Sequence, residues 1–396
     1  MRYPFPSIDP IPIPAPVWLM KALGLLTLAL HFAAVMMMVG SLLMIIALNL
    51  RGRSRREDGP LSASLVLARR LPVIMTYVIN LGVPPLLFAQ VLYGRAIYTS
   101  SVLIAVSWIA VIPLVMGGYW FMYKTTDRIA SGRAGWPTAL LSLLFVFGVG
   151  QIYSMNMTLM LRPEVWTGMY AKTATGLQAP PHDPTAMPRF HFVMTGGLVI
   201  GGLWMLIVSN ARHLADATRA ALVRNGAGMA ALGGVVQALV AMRVVQAQPA
   251  SIQQALGASG FYSIAQYLYL GATLLVVVLA GLQFARRRTS VVLSTVGGVV
   301  GFLGTAGAVL VRDGIRDLTL LEKGFDVWDR KEVTNWGVVV LFLLLFAGGL
   351  AVVGWLLSVM KRATPTNETL SYANDTIGLP PADPRASEPE KELVTR

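Results

Sequence analysis

Apolar residues fall into nine long blocks along the chain, separated by shorter polar segments. These blocks cover approximately 18–48, 71–94, 102–123, 137–160, 188–210, 226–246, 261–284, 289–311 and 336–360. An α-helix needs about 20 mostly apolar residues to cross the hydrocarbon core of a bilayer. Backbone groups in lipid must hydrogen-bond within their own segment, so blocks of this length are helices. The pattern predicts an all-α, polytopic membrane bundle with nine spans.

Basic residues are concentrated in alternate loops of this predicted bundle. The first loop alone contains Arg51, Arg53, Arg55, Arg56, Arg69 and Arg70. Lysine and arginine favour the cytoplasmic side, so we expect an outside N-terminus and a cytoplasmic C-terminus. Three regions follow: a proline-rich outer segment at 1–17, a membrane domain at 18–362, and a cytoplasmic tail at 363–396. The polar composition of the tail is typical of disorder.

Composition restricts the possible chemistry. The 396 residues are 55% hydrophobic and only 13% charged, and the formal net charge is +13. In a membrane protein this excess of cations indicates contact with anionic lipid rather than nucleic acid. There is no cysteine, which excludes disulfides, cysteine-ligated iron–sulfur clusters and covalent c-type haem. We identify no phosphate-binding loop, zinc-protease or nucleophile motif, and hence no catalytic residue.

Two of the four histidines lie inside otherwise apolar blocks. His31 is in the first block, about 13 residues from its start, and His191 is near the start of the fifth. Ionisable residues at membrane depth are candidates for a functional site. Imidazole is the usual axial ligand of haem iron, so both histidines are candidate haem ligands. The alternative is that each bonds to a neighbouring helix.

A few other residues are candidates for the same chemistry. Met157, in the fourth block, is a possible second axial ligand, although methionine also fills gaps in apolar cores. Arg189, two residues before His191, is suited to pair with a haem propionate or to lie at the membrane interface. Gln90 and Arg162 are weaker candidates for contact with a quinone or a partner protein.

Two long loops are expected on the outer side, at about 161–187 and 312–335. Their tryptophans, including Trp328, suit either docking of a partner or plain anchoring at the membrane interface. The second loop opens with RDGIRD, in which Arg312 and Arg316 are weak candidates for contact with a ligand or partner. This motif predicts an Asp313–Arg316 ion pair on a short helix, or equally a solvated surface turn.

Five segments in order resemble subunit I of the cytochrome bd-type quinol oxidases. They are LLTLALHFAAVMMMVGSLL in the first span, YVINLGVPPLLFAQVLYGR in the second, WFMYKTTDRIA at the end of the third, RPEVW after the fourth, and RFHFVMTGGLVIGGLWML in the fifth. The resemblance covers the first five spans by motif and the remainder by topology. It implies a bacterial inner-membrane protein that holds one or two b haems on His31 and His191. Both histidines would ligate one haem if they lie at similar depth.

The chain departs from that family at three places. The second and third spans lack the carboxylates that the family has near its oxygen-reducing haem. The Gly-Arg-Gln-Pro-Trp element is not found, and the loop after the sixth span is reduced to about 244–260. The resemblance therefore implies a cytochrome b subunit that passes electrons between the quinone pool and a partner redox protein, such as a c-type cytochrome. The alternatives are a haem-free membrane anchor or a divergent quinol oxidase subunit.

Overall fold

The computed structural model describes residues 5–6 and 12–363, apart from the side chains of 353–354 and 356–363. The described residues form twelve helices in chain order. These are α1 (Val17–Arg55), α2 (Asp58–Ala68), α3 (Leu71–Leu103), α4 (Ala105–Ala130), α5 (Trp136–Leu159), α6 (Pro163–Lys172), α7 (Ala186–Val208), α8 (Asp216–Gln246), α9 (Ala250–Ala258), α10 (Gly260–Arg286), α11 (Val291–Glu322) and α12 (Trp336–Ala363). Within the described residues the only β-structure is an isolated bridge between Ile13 and Glu332. The predicted all-α membrane bundle is confirmed.

The nine predicted spans correspond to the nine long helices. By length and apolarity, eight helical segments of the described chain are candidate membrane spans, with α2 and α3 counted as one segment. The ninth predicted span coincides with α12, whose apolar stretch Trp336–Val352 is described. The predicted tail at 363–396 lies outside the described residues, except for Ala363 at the end of α12.

The largest error in a predicted boundary concerns α11. Its expected end was residue 311, with a loop from 312 to 335, but the helix continues to Glu322. The RDGIRD motif therefore lies within α11, and Asp313 is only 3% exposed. The interpretation of the motif as a solvated surface turn was wrong. Apolar Ile315 and Leu320 are buried in two different core clusters, so more than one side of this segment packs against the rest of the protein.

Helix α1 occupies the centre of the bundle and packs against α2, α3, α5, α7 and α11. Glycines permit the closest of these contacts. A Cβ atom on Gly40 of α1 would collide with the Gly197 carbonyl oxygen of α7, and one on Gly201 would lie 2.6 Å from the Gly40 Cα. The paired glycines of the fifth predicted span therefore bring two helices into backbone contact, as small residues do in membrane bundles.

Candidate functional site

A cavity of about 770 Å³ lies within the bundle, between α1, α3, α4, α5, α7, α8, α10 and α11. This volume is in the range of small-molecule and cofactor pockets. Most of the lining side chains are apolar or aromatic, and eight are methionines: Met36, Met38, Met75, Met116, Met157, Met160, Met194 and Met242. Such walls favour an apolar ligand, because methionine adapts its shape to the surface that it contacts.

His31 lines this cavity from α1. Its Nδ1 lies 3.0 Å from the carbonyl oxygen of Val78 on α3. Because a carbonyl only accepts hydrogen bonds, this contact makes Nδ1 the protonated nitrogen and leaves the lone pair on Nε2. Metal-bound histidines are commonly oriented in this way, with the second nitrogen donating to a carbonyl or carboxylate. The described residues provide no hydrogen bond to Nε2.

Gly82 on α3 makes room for the imidazole. A Cβ atom at this position would lie 2.8 Å from Cε1 and 3.0 Å from Nδ1 of His31. The ring and the glycine therefore fit closely, and the orientation of His31 is fixed by shape as well as by its hydrogen bond. No pattern in the sequence singles out Gly82, although it lies on the second predicted span, next to the span of His31.

His191 has a different environment. Its side chain is exposed on α7, whereas its neighbours Arg189, Phe190 and Val193 line the cavity. Successive helical residues are rotated by about 100°, so His191 points away when these neighbours point inward. The structure does not bring His31 and His191 into one site. Which side of the fifth span faces the bundle could not be determined from a block that is apolar on all sides.

Met157, Arg189, Arg312 and Arg316 all line the cavity, as does His31. The three arginines are the only charged residues among the lining side chains of the described chain. Phe32 is near both Arg312 and His31. Its ring centroid is 6.1 Å from that of His31 and 5.9 Å from the guanidinium carbon of Arg312. Four of the predicted site residues thus surround the same space as His31.

Behind the arginines lies a buried group of charged residues, here named the Lys21 cluster: Lys21, Tyr93, Asp313, Arg316 and Asp317. The Lys21 ammonium lies 2.7 Å from Asp313 and also contacts Asp317, while Arg316 pairs with Asp313. The Tyr93 hydroxyl donates to Asp317 at 2.6 Å, and the guanidinium carbon of Arg316 lies 3.8 Å from the Tyr93 ring centroid. Two cations therefore balance two carboxylates inside the protein.

Only part of the Lys21 cluster was predicted. The Asp313–Arg316 pair was expected from its spacing, whereas Lys21 and Tyr93 were not identified. Tyr93 lies where α3 leaves helical geometry, with φ −120° and ψ 21°. A lysine near the start of a predicted apolar span was the available signal, because a buried ammonium requires a carboxylate partner.

The three remaining candidates lie elsewhere. Gln90 is half-buried on α3 and does not line the cavity. Arg162 fixes the loop before α7, because it pairs with Asp183 at 3.3 Å and donates to the Pro181 carbonyl at 2.7 Å. Trp328 is exposed, and the Lys21 ammonium lies 5.3 Å from its ring.

Comparison with known proteins places this geometry in a known fold. A solved structure, of bd oxidase from Geobacillus thermodenitrificans, superposes with a TM-score of 0.64 over 90% of this chain and 100% of that chain. The chain has the fold of a bd oxidase chain. The two sequences are 14% identical over the superposed residues, so the likeness carries the fold alone. No family model and no curated protein matches the sequence. The bd-type fold implied by the five sequence motifs is therefore confirmed.

Proposed function

We propose that this chain is a cytochrome b subunit of a membrane-bound electron-transfer complex, with one haem b in the cavity and His31 as an axial ligand. The observation that carries the proposal is the position of His31. Its Nδ1 is held by the Val78 carbonyl, and its Nε2 is left for a ligand beside a large apolar cavity. When bound, haem b supplies a one-electron couple between ferric and ferrous iron.

The residues around the cavity fit that group. Gly82 and Val78 orient the imidazole, and the methionine and phenylalanine walls exclude water, which is one way a protein sets the haem potential. Arginines at one end suit the carboxylates of the haem. Among the methionines, Met157 is our candidate for the second axial ligand. His191 is left without a ligand role in this site, so we propose one haem rather than two.

The likeness in fold to a bd oxidase supports a role beside the quinone pool, with electrons passed to or from a partner redox protein such as a c-type cytochrome. The same likeness makes a divergent quinol oxidase subunit the second candidate. The two proposals differ in whether the protein reduces oxygen. Oxygen consumption with a quinol, lost on His31→Ala, is expected of the oxidase and not of the electron-transfer subunit.

The decisive experiment is a haem assay on the full chain purified from membranes in detergent. We expect a Soret band, a reduced-minus-oxidised α-band, and about one b haem per chain by pyridine haemochrome. His31→Ala should abolish the haem signal. His191→Ala is the matched control and should retain it, because that imidazole faces away from the cavity.

Size-exclusion profiles and thermal unfolding of both variants separate loss of haem from loss of fold. A wild-type chain without haem would contradict the proposal and favour a haem-free membrane anchor. Equal loss of haem in the two variants would contradict the assignment of His31.

A further inference from the structure

The arginines that line the cavity differ in how their charge is balanced. Arg316 belongs to the Lys21 cluster, where Lys21 and Arg316 face Asp313 and Asp317. This group is neutral as a whole. Arg316 therefore brings no uncompensated charge to the cavity, although it contributes to the wall.

Arg189 and Arg312 have only neutral partners at close range. Arg189 donates to the Gln248 side-chain oxygen at 3.2 Å, and Arg312 lies over the Phe32 ring. In the part of the chain that the structure describes, no carboxylate lies within 4 Å of either guanidinium. The nearby Asp183 is paired with Arg162.

These two arginines also repel each other, and Arg316 adds to the repulsion of Arg312. Asp313 attracts Arg312, but its carboxylate is already paired with Lys21 and Arg316. Arginine keeps its proton in proteins, so neither charge can be removed by titration. Two unpaired cations beside an apolar cavity are costly unless an anion compensates them. Two uncompensated positive charges at the cavity therefore indicate a site for a ligand with two negative groups.

We infer that Arg189 and Arg312 form a clamp for the two carboxylates of a flat apolar ligand of the porphyrin class. This inference deepens the proposed function and rests on it for the identity of the ligand. The clamp joins the start of α7 to the last third of α11, and Phe32 lies between Arg312 and His31. The carboxylates would bind at this end of the cavity, while the ring system lies against the apolar walls toward His31.

Iron-free porphyrin tests the clamp without axial ligation. We would prepare the full chain without haem, place it in zwitterionic lipid nanodiscs, titrate it with protoporphyrin IX and with its dimethyl ester, and follow porphyrin fluorescence. Charge-assisted bonds from arginine to carboxylate are strong in a dry site, so we expect the diacid to bind at least about tenfold more tightly than the diester. Arg312→Gln and Arg189→Gln should each reduce this preference, and the double variant should abolish it.

Two controls separate the clamp from other effects. Arg243→Gln removes an exposed arginine of α8 that does not line the cavity, and it should keep the full preference. Arg312→Lys retains the charge and should restore part of it. A wild-type chain that prefers the diacid but carries no haem when purified would support the clamp and contradict the proposed function. A chain that carries haem but shows no such preference would do the reverse.

Two results would overturn the inference. One is a wild-type chain that binds the diacid and the diester equally, or binds neither. The other is competition by anionic phospholipid. In that case phosphatidylglycerol in the nanodiscs would displace the diacid, Arg312→Gln would remove this competition, and the diester would bind as well as the diacid. The two arginines would then hold a lipid phosphate instead of a porphyrin.

Discussion

The ammonium of Lys21 lies 2.7 Å from the carboxylate of Asp313, although the two residues are on helices at opposite ends of the sequence. Both side chains are almost completely buried, with 7% and 4% of their surface exposed. The pair joins the first turns of α1 to the later part of α11. Asp313 also pairs with Arg316 at the cavity wall, so this aspartate connects Lys21 to Arg316.

Breaking this pair from one side should destabilise the protein strongly. Lys21→Met leaves Asp313 and Asp317 with fewer cations inside the bundle, and loss of one partner of a buried ion pair costs about 3–5 kcal/mol. We expect a clear fall in the midpoint of thermal unfolding in detergent, measured by tryptophan fluorescence or circular dichroism.

A double-mutant cycle tests whether Lys21 and Asp313 act together. Lys21→Met combined with Asp313→Asn should cost less than the sum of the two single changes, because the double variant leaves fewer unpaired charges. The control is Asp216→Asn, which removes an exposed carboxylate that pairs with Arg219 and should shift the midpoint little. Additive effects at Lys21 and Asp313 would show that the two residues are not energetically coupled.

The sequence alone predicted the spans well, because membrane helices are specified by length and apolarity, which are read directly from composition. It did not predict which side of each helix faces inward. His191 illustrates this limit, since α7 is apolar on all sides and gives no amphipathic signal. The end of α11 was missed for a related reason. Charged residues at 312–317 were interpreted as the start of a loop, whereas Lys21 and Tyr93 supply buried partners from helices far away in sequence.

The close fit between His31 and Gly82 gives a second prediction. A valine at position 82 would place side-chain atoms where the imidazole now lies, because even a Cβ atom there is 2.8 Å from Cε1. We expect Gly82→Val to displace the ring from the Val78 carbonyl and to lower the haem content of purified protein severalfold, as measured by pyridine haemochrome.

Gly271→Val is the matched control for this substitution. It also adds an isopropyl group to a glycine within a membrane helix, but nothing lies within 4 Å of a Cβ atom at Gly271. Haem content in this variant should equal that of the wild type. If Gly82→Val retains full haem while remaining folded, the imidazole is not the group that the haem requires.

Contact between α1 and α7 through glycine gives a third prediction. Gly40→Ala would bring its methyl group against the Gly197 carbonyl oxygen and 2.7 Å from the Gly201 Cα. Backbone atoms cannot rotate away as a side chain can, so the helices must separate, at a cost of roughly 1–3 kcal/mol or more. The expected result is a lower unfolding midpoint than that of Gly348→Ala, where a Cβ atom meets nothing within 4 Å. Equal midpoints would contradict the backbone contact.

The cavity reaches the surface of the bundle between α3 and α4, which gives a fourth prediction. Val83 and Ile112 both line the cavity, yet they are 50% and 63% exposed on the face where lipid would lie. A ligand that fills the cavity should therefore cover this opening from within. The chain has no cysteine, so a single introduced thiol can report on the opening without background.

In a chain prepared without haem, we expect Val83→Cys to react with a membrane-permeant maleimide in nanodiscs, and protoporphyrin IX to slow that reaction severalfold. Leu144→Cys is the control, because Leu144 is similarly exposed on α5 but does not line the cavity. Its reaction rate should be unaffected by the porphyrin, which excludes a general effect on the lipid or the reagent. Val83 borders the space that the ligand would fill and Leu144 does not. Protection of both thiols, or of neither, would therefore show that the porphyrin does not cover this opening.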